Sequence, residues 1–189
     1  MIRAMLDTDH PVELGFTTGL LATYADLADA ALIKHLEGIH GQVLLIDRGM
    51  GDPLARATII DVENGAHRPA DAPVWYDRRH ALGARYLTVY CSRSTLAEIG
   101  KEMGPRSYYR WVARLDGVAT VPGFTPGQGP AAVQVMGSAA LGFHADYSLV
   151  FQSGWNPAPR GQLAAADAKA VASAEAHLHD ALAALATVK

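Results

Sequence analysis

Two carboxylates stand two residues apart at the end of an apolar run: Asp61 and Glu63, in the segment TIIDVEN. Alternate residues of an extended strand point to one face, so the pair projects together, roughly 6–7 Å apart by strand rise. Two acids on one face of an apolar strand are costly unless solvated, paired or used. If its surroundings raise the pKa of one, it serves as a general acid while the other stays ionised. Glycoside hydrolysis requires that division of labour. Asp7 and Asp47 also end apolar runs. Asp47, like Asp52, is read as structural, capping a helix or binding one of the nearby arginines Arg48, Arg68, Arg78 and Arg79.

These acids need a scaffold. Short apolar runs at 3–6, 19–24, 42–46, 58–63, 86–90, 109–113, 132–136 and 147–151 read as strands. Helices are predicted over 26–40, 73–82 and 94–103. Leu27, Ala30, Ala31, Ile33 and Leu36 fall near helical spacing in the first, Gly41 and Gly83 act as stops, and Ser94 is a candidate cap for the third. Strands apolar throughout, alternating with helices, predict a parallel sheet covered by helices. Eight strands in 189 residues predict an α/β fold, a small and incomplete (β/α) TIM-like barrel. A full barrel of that kind uses about 250 residues and builds its active site at the C-terminal ends of its strands, which is where the acids stand.

The Gly- and Pro-rich stretch 118–130 reads as a loop, and 156–161 as a break. Beyond it, 162–189 is rich in alanine and lacks Gly and Pro, which predicts a strong helix over 164–188. Val171, Leu178, Leu182 and Leu185 fall on one face of it. The chain therefore divides into a barrel domain, 1–157, and a linker with a C-terminal helix, 158–189. That helix either docks on the barrel or mediates self-association or docking to a larger assembly.

Half the residues are hydrophobic and the formal net charge is -3, which leaves no basic footprint for nucleic acid. The single cysteine, Cys91, excludes an internal disulfide and a multi-cysteine zinc site, and without an activating base it is read as inert. No glycine-rich phosphate loop follows the first strand, and no spacing calls for a metal or a cofactor. No apolar run approaches the roughly 18 residues that span a bilayer, so no membrane insertion is expected. The N-terminus has no signal peptide. Of the eight histidines, His10 and His144 lie near the expected mouth, where they could tune a carboxylate. His35, His40, His177 and His179 are expected to be solvated.

In chain order, these motifs resemble the glycoside hydrolase family 25 lysozymes, the muramidases of phage endolysins and bacteria. IIDVEN resembles the acid pair of the family's fourth strand, and AMLDTD its first strand, ending in a functional Asp. LTVYCSRSTL, YYRWVARLDG, AAVQVMG and GFHADYSLVF resemble later strands. The likeness covers most of 1–156 and is nearer still to the short glycoside-hydrolase-like domains of actinobacterial and actinophage proteins. It implies cleavage of β-1,4 bonds in peptidoglycan, with Glu63 as general acid and Asp61 as its partner. Asp7 and Asp146 would flank them, with Asp9 an alternative to Asp7. Tyr90, Trp111 and Gln134 would line the cleft, offering a stacking face and hydrogen bonds to sugar rings. Val133 and Val135 stand where the family carries aromatics. The competing expectation is a non-catalytic structural or glycan-binding module of a phage virion, such as a tail or fibre component. On either reading the protein is expected to be made in the cytoplasm and delivered by phage lysis or virion assembly.

Overall fold

A computed structural model describes residues 3–14, 19–49, 56–117, 130–141, 144–152 and 155. The expected loop over 118–129, Asp52 and the expected C-terminal helix lie outside the described residues. Eight strands close a barrel in chain order: β1 (Arg3–Asp7), β2 (Leu20–Tyr24), β3 (Gln42–Asp47), β4 (Ile59–Val62), β5 (Thr88–Ser92), β6 (Tyr109–Ala113), β7 (Ala132–Met136) and β8 (Asp146–Val150). Strands β1 to β7 are parallel neighbours. Strand β8 is antiparallel to both β7 and β1.

The sheet is therefore mixed, which corrects the expectation of a wholly parallel one. Residues 137–145 are too few for the crossover that a parallel neighbour needs, whereas an antiparallel return needs only a short turn. Within that turn lies the short helix α4, introduced below with the others.

Helix α1 (Ala30–His40) follows β2, α2 (Ala72–Ala81) follows β4, α3 (Leu96–Met103) follows β5, and α4 (Ser138–Leu141) follows β7. Helix α1 starts later than its apolar spacing implied, because the Asp29 carboxylate caps it by accepting the Leu32 N–H at 2.8 Å. Ile33, Leu36 and His40 are its buried residues, while Ala30 and Ala31 are exposed and Leu27 precedes the helix. His40 is thus a packed residue, not a solvated one. Ser94 does not cap α3: Thr95 occupies that position without a side-chain capping bond. Instead the Ser92 hydroxyl bonds those of Ser94 and Thr95. Strand β5 begins at Thr88 because Tyr86 adopts a left-handed backbone, φ 57°, which breaks the extended run.

Strand alternation divides the core into an inside and an outside. Met5, Ala22, Leu44, Ile59, Tyr90, Trp111 and Val150 meet in the barrel interior. The alternate residues face outward. Leu6, Leu21, Val43 and Leu45 pack on Ile33 and Leu36 of α1. Ile60, Val62, Val89 and Cys91 pack with Trp75 of α2 and with Ile99 and Met103 of α3.

Trp155 seals the end where the parallel strands begin. It is fully buried in the interior cluster. Its indole N–H donates to the Thr88 hydroxyl at 2.9 Å, and its carbonyl accepts from Arg3 at 3.0 Å. Trp155→Ala is expected to cost about 3–5 kcal/mol, as large-to-small core changes do, measured as a lower urea midpoint.

Candidate active site

The interior parity of each strand carries on to the open end of the barrel. Asp7 ends β1 two residues after inward-facing Met5. Asp61 follows inward-facing Ile59 in β4, and Glu63 comes two residues later. Asp146 opens β8. Because β8 is antiparallel, its first residue reaches the same mouth as the last residues of the parallel strands, directly opposite Asp7 in the ladder. The four acids expected from the sequence therefore converge. Asp7 feels the charges of Asp146, Asp61 and Glu63, and Glu63 feels that of Asp146.

Burial sets the electrostatics of this cluster. Asp7 is driven well above the usual carboxylate range, first by burial and then by Asp146, Asp61, Glu63 and Asp9. Burial, then Glu63, pushes Asp61 up to about 7, against the opposing pull of His67 and Arg48. Glu63, half-buried, is raised by burial and by Asp146. Asp146 is also raised by burial, but two hydrogen bonds pull it back. The Ser138 N–H donates to its Oδ1 at 2.6 Å, and the Gln134 amide donates to its Oδ2 at 2.7 Å. Oδ2 of Asp7 and Oδ1 of Asp61 are buried with no hydrogen-bond partner among the described residues. A buried charge left so is expensive, so burial favours the protonated form of both groups.

Beside the cluster opens a cleft of about 320 Å3. Its walls include Asp7, Asp9, Asp146, Tyr24, Arg48, His10 and His144. Asp61 and Glu63 are not part of those walls. Asp9 is exposed at the rim, so Asp7, not Asp9, is the acid at the strand end. His10 and His144 lie ring to ring, 4.9 Å between centroids. The Arg48 guanidinium lies 4.5 Å over the Tyr24 ring and is held at 2.7 Å by Asp26.

Tyr90, Trp111 and Gln134, expected to line a cleft, are not among the walls of this one and are buried. Trp111 is fully buried in mid-barrel, its indole N–H donating to the Ser148 hydroxyl at 3.0 Å. Tyr90 meets it edge-on, 4.7 Å between centroids. Gln134, 1 % exposed, bridges the Tyr90 hydroxyl and Asp146. Val133 and Val135 belong to the outer core cluster, so an aromatic at either position would not reach the mouth.

Sequence reasoning missed Tyr24, Arg48 and His67. Tyr24 was within reach: it ends LLATY with the same inward parity that places Asp7. Arg48 and His67 lie in loops and carry no periodic signal.

Asp47 shows the same residue type put to a different use. Its parity on β3 is that of Val43 and Leu45, so it faces outward beneath α2. It accepts from the Trp75 indole at 3.0 Å, from Arg79 at 3.2 Å and from the Gly49 N–H at 3.0 Å, and it bonds His67 at 3.1 Å. Burial opposes its ionisation, but the bonds from His67, Gly49 and Trp75 outweigh it and hold Asp47 well below the usual carboxylate range. The structural reading of Asp47 holds. Cys91 faces outward under α3, and burial pushes its thiol up to about 12, so it is not a thiolate at neutral pH.

Among the described residues, no group of three His, Cys, Asp or Glu side chains is placed to hold a metal ion, and no helix is long and apolar enough to cross a membrane. No family model, curated protein or solved structure matches this chain.

Opposite stability effects are expected at Asp47 and Asp61. Asp61 binds its proton more tightly folded than unfolded, so its contribution is intact below pH 4 and is lost as pH rises toward 7. Asp61→Asn should therefore stabilise the protein at pH 8, by on the order of 2 kcal/mol, and change little at pH 4. Asp47 stabilises above pH 4 and loses that contribution as pH falls. Asp47→Asn removes the carboxylate that accepts from Arg79 and Trp75 and should cost about 1–3 kcal/mol at pH 7. Thermal melts of both variants at the two pH values check this.

Proposed function

We propose that the barrel is an incomplete (β/α) TIM-like barrel of the glycoside hydrolase family 25 kind, and that it hydrolyses β-1,4 glycosidic bonds of peptidoglycan or a related glycan. The observation that carries this reading is the convergence of Asp7, Asp61, Glu63 and Asp146 at one mouth, with Asp61 pushed up to about 7. Acid-catalysed glycoside cleavage needs a protonated carboxyl beside an ionised one at working pH, and this cluster holds several acids of unequal proton affinity. Glu63 is the general acid in this scheme, because it is the half-buried member of the β4 pair and can meet a leaving-group oxygen. The developing positive charge on the sugar is stabilised by an ionised carboxylate of the cluster or by the substrate's N-acetyl group. Tyr24, with His10 and His144, takes the sugar-contacting role first expected of Trp111.

The test is release of reducing ends from purified cell wall across pH 4 to 8. Cleavage is expected at acidic pH and should fade as pH rises and Glu63, whose proton affinity is raised by burial and by Asp146, loses its proton. Glu63→Gln should lower the rate about 10²- to 10⁴-fold, the usual worth of general acid catalysis, while leaving the melting profile of a folded protein. If the wild-type protein releases no reducing ends at any pH, the hydrolase reading fails. Retention on cell wall, or sedimentation with phage particles, would then assign the barrel to a glycan-binding or virion structural role.

A further inference from the structure

Asp7 and Asp146 face each other directly across the antiparallel β1–β8 seam, where opposed Cβ atoms are about 4.5–5.5 Å apart. Two ionised carboxylates so close, one buried and the other half-buried, repel strongly, so the pair keeps one proton near neutral pH. Hydrogen bonding decides which acid holds it. Asp146 accepts an N–H on each oxygen, from Ser138 and from Gln134. A proton on either oxygen would turn an acceptor into a donor facing an N–H. Oδ2 of Asp7 is buried without a partner among the described residues, so a proton there removes an uncompensated charge. The orientation of the Gln134 amide is fixed from behind. Its Oε1 accepts the Tyr90 hydroxyl, which leaves Nε2 pointing at Asp146.

We infer that Gln134, oriented by Tyr90, is a positioning residue that keeps Asp146 as the ionised member of the seam pair and leaves the shared proton on Asp7. The catalytic meaning rests on the hydrolase reading: Asp146 then supplies the standing negative charge, and Asp7 acts as a neutral hydrogen-bond donor. The placement of the proton does not depend on that reading. The other charged or titratable groups around the pair are Asp9, His10, Tyr24, Arg48, Asp61, Glu63, Tyr90 and His144. Apart from Tyr90, they are unchanged in the variants below, so a reordering of the pair reports on the relay.

Carbon-detected NMR of the side-chain carboxyls, on the full chain from pH 3 to 9, follows each acid, with Asp7→Asn and Asp146→Asn giving the assignments. Asp146 is expected to titrate below Asp7. In Gln134→Met the Asp146 midpoint should rise by about one to two pH units, the worth of one charge-assisted hydrogen bond, while that of Asp7 falls. Tyr90→Phe should move both the same way by less, and it keeps the ring if Gln134→Met fails to fold. An Asp146 that titrates above Asp7 in the wild type, or midpoints unmoved in every folded variant, overturns the proposal. If the protein also cleaves glycan, the pH–rate profile of Gln134→Met should shift. If it cleaves none, the titration still decides the relay.

Discussion

Everything at the mouth depends on how the barrel closes. Seven parallel strands deliver their C-terminal ends to one rim, and the closing strand runs the other way. That reversal brings the first residue of β8 into register with the last of β1, so two acids far apart in sequence become direct cross-strand neighbours. Like charges so opposed destabilise a ladder. Such a seam persists only if one acid is neutral or each is compensated. The structure divides the two remedies: Asp146 receives hydrogen bonds, and Asp7 is buried where the neutral form is favoured.

Below the rim the interior is a column of large side chains whose polar atoms find partners within the barrel. Trp155 bonds Thr88 at the closed end, Trp111 bonds Ser148 halfway up, and Tyr90 bonds Gln134 under the acids. Trp111 and Ser148, and Tyr90 and Gln134, lie on different strands, so the column also ties the strands together. Well-satisfied buried polar groups rigidify and specify a core. Here they end in the carboxylate that the relay orients, so the packing of the barrel and the chemistry of its mouth are one continuous structure.

Much of this was legible in the sequence. Apolar runs ending in acids gave the strands, and period-two alternation put Asp61 and Glu63 on one face. The short 137–145 connection also dictated an antiparallel β8, although the apolar character of the strands argued for a wholly parallel sheet. What parity does not encode is depth. Tyr90, Trp111 and Gln134 are each the third of five residues in their strands; they face inward and are buried, as is Asp61, the ladder partner of Tyr90. Asp7 and Tyr24, at the ends of theirs, reach the mouth. A sequence motif marks Trp111 as inward-facing in either case, and only its place along the strand separates a stacking face from a core residue. His40 and Arg48 were illegible for another reason: long polar side chains take their environment from elements distant in sequence.

Asp47 and Asp61 are adjacent-strand aspartates of opposite parity, and the contrast separates scaffold from site. Facing outward, Asp47 meets an indole, a guanidinium, an imidazole and a backbone amide, all of which favour its charge. Facing inward, Asp61 meets apolar walls and other acids, which oppose it. A fold selected for stability alone has no reason to keep the second arrangement, since an amide or apolar residue there removes the penalty. Strain of this sort, at the open end of the barrel, marks the cluster as a candidate acid–base site. The opposition of Asp7 and Asp146 arises from closure itself, so altering the 137–145 return would disturb the barrel and that seam pair together.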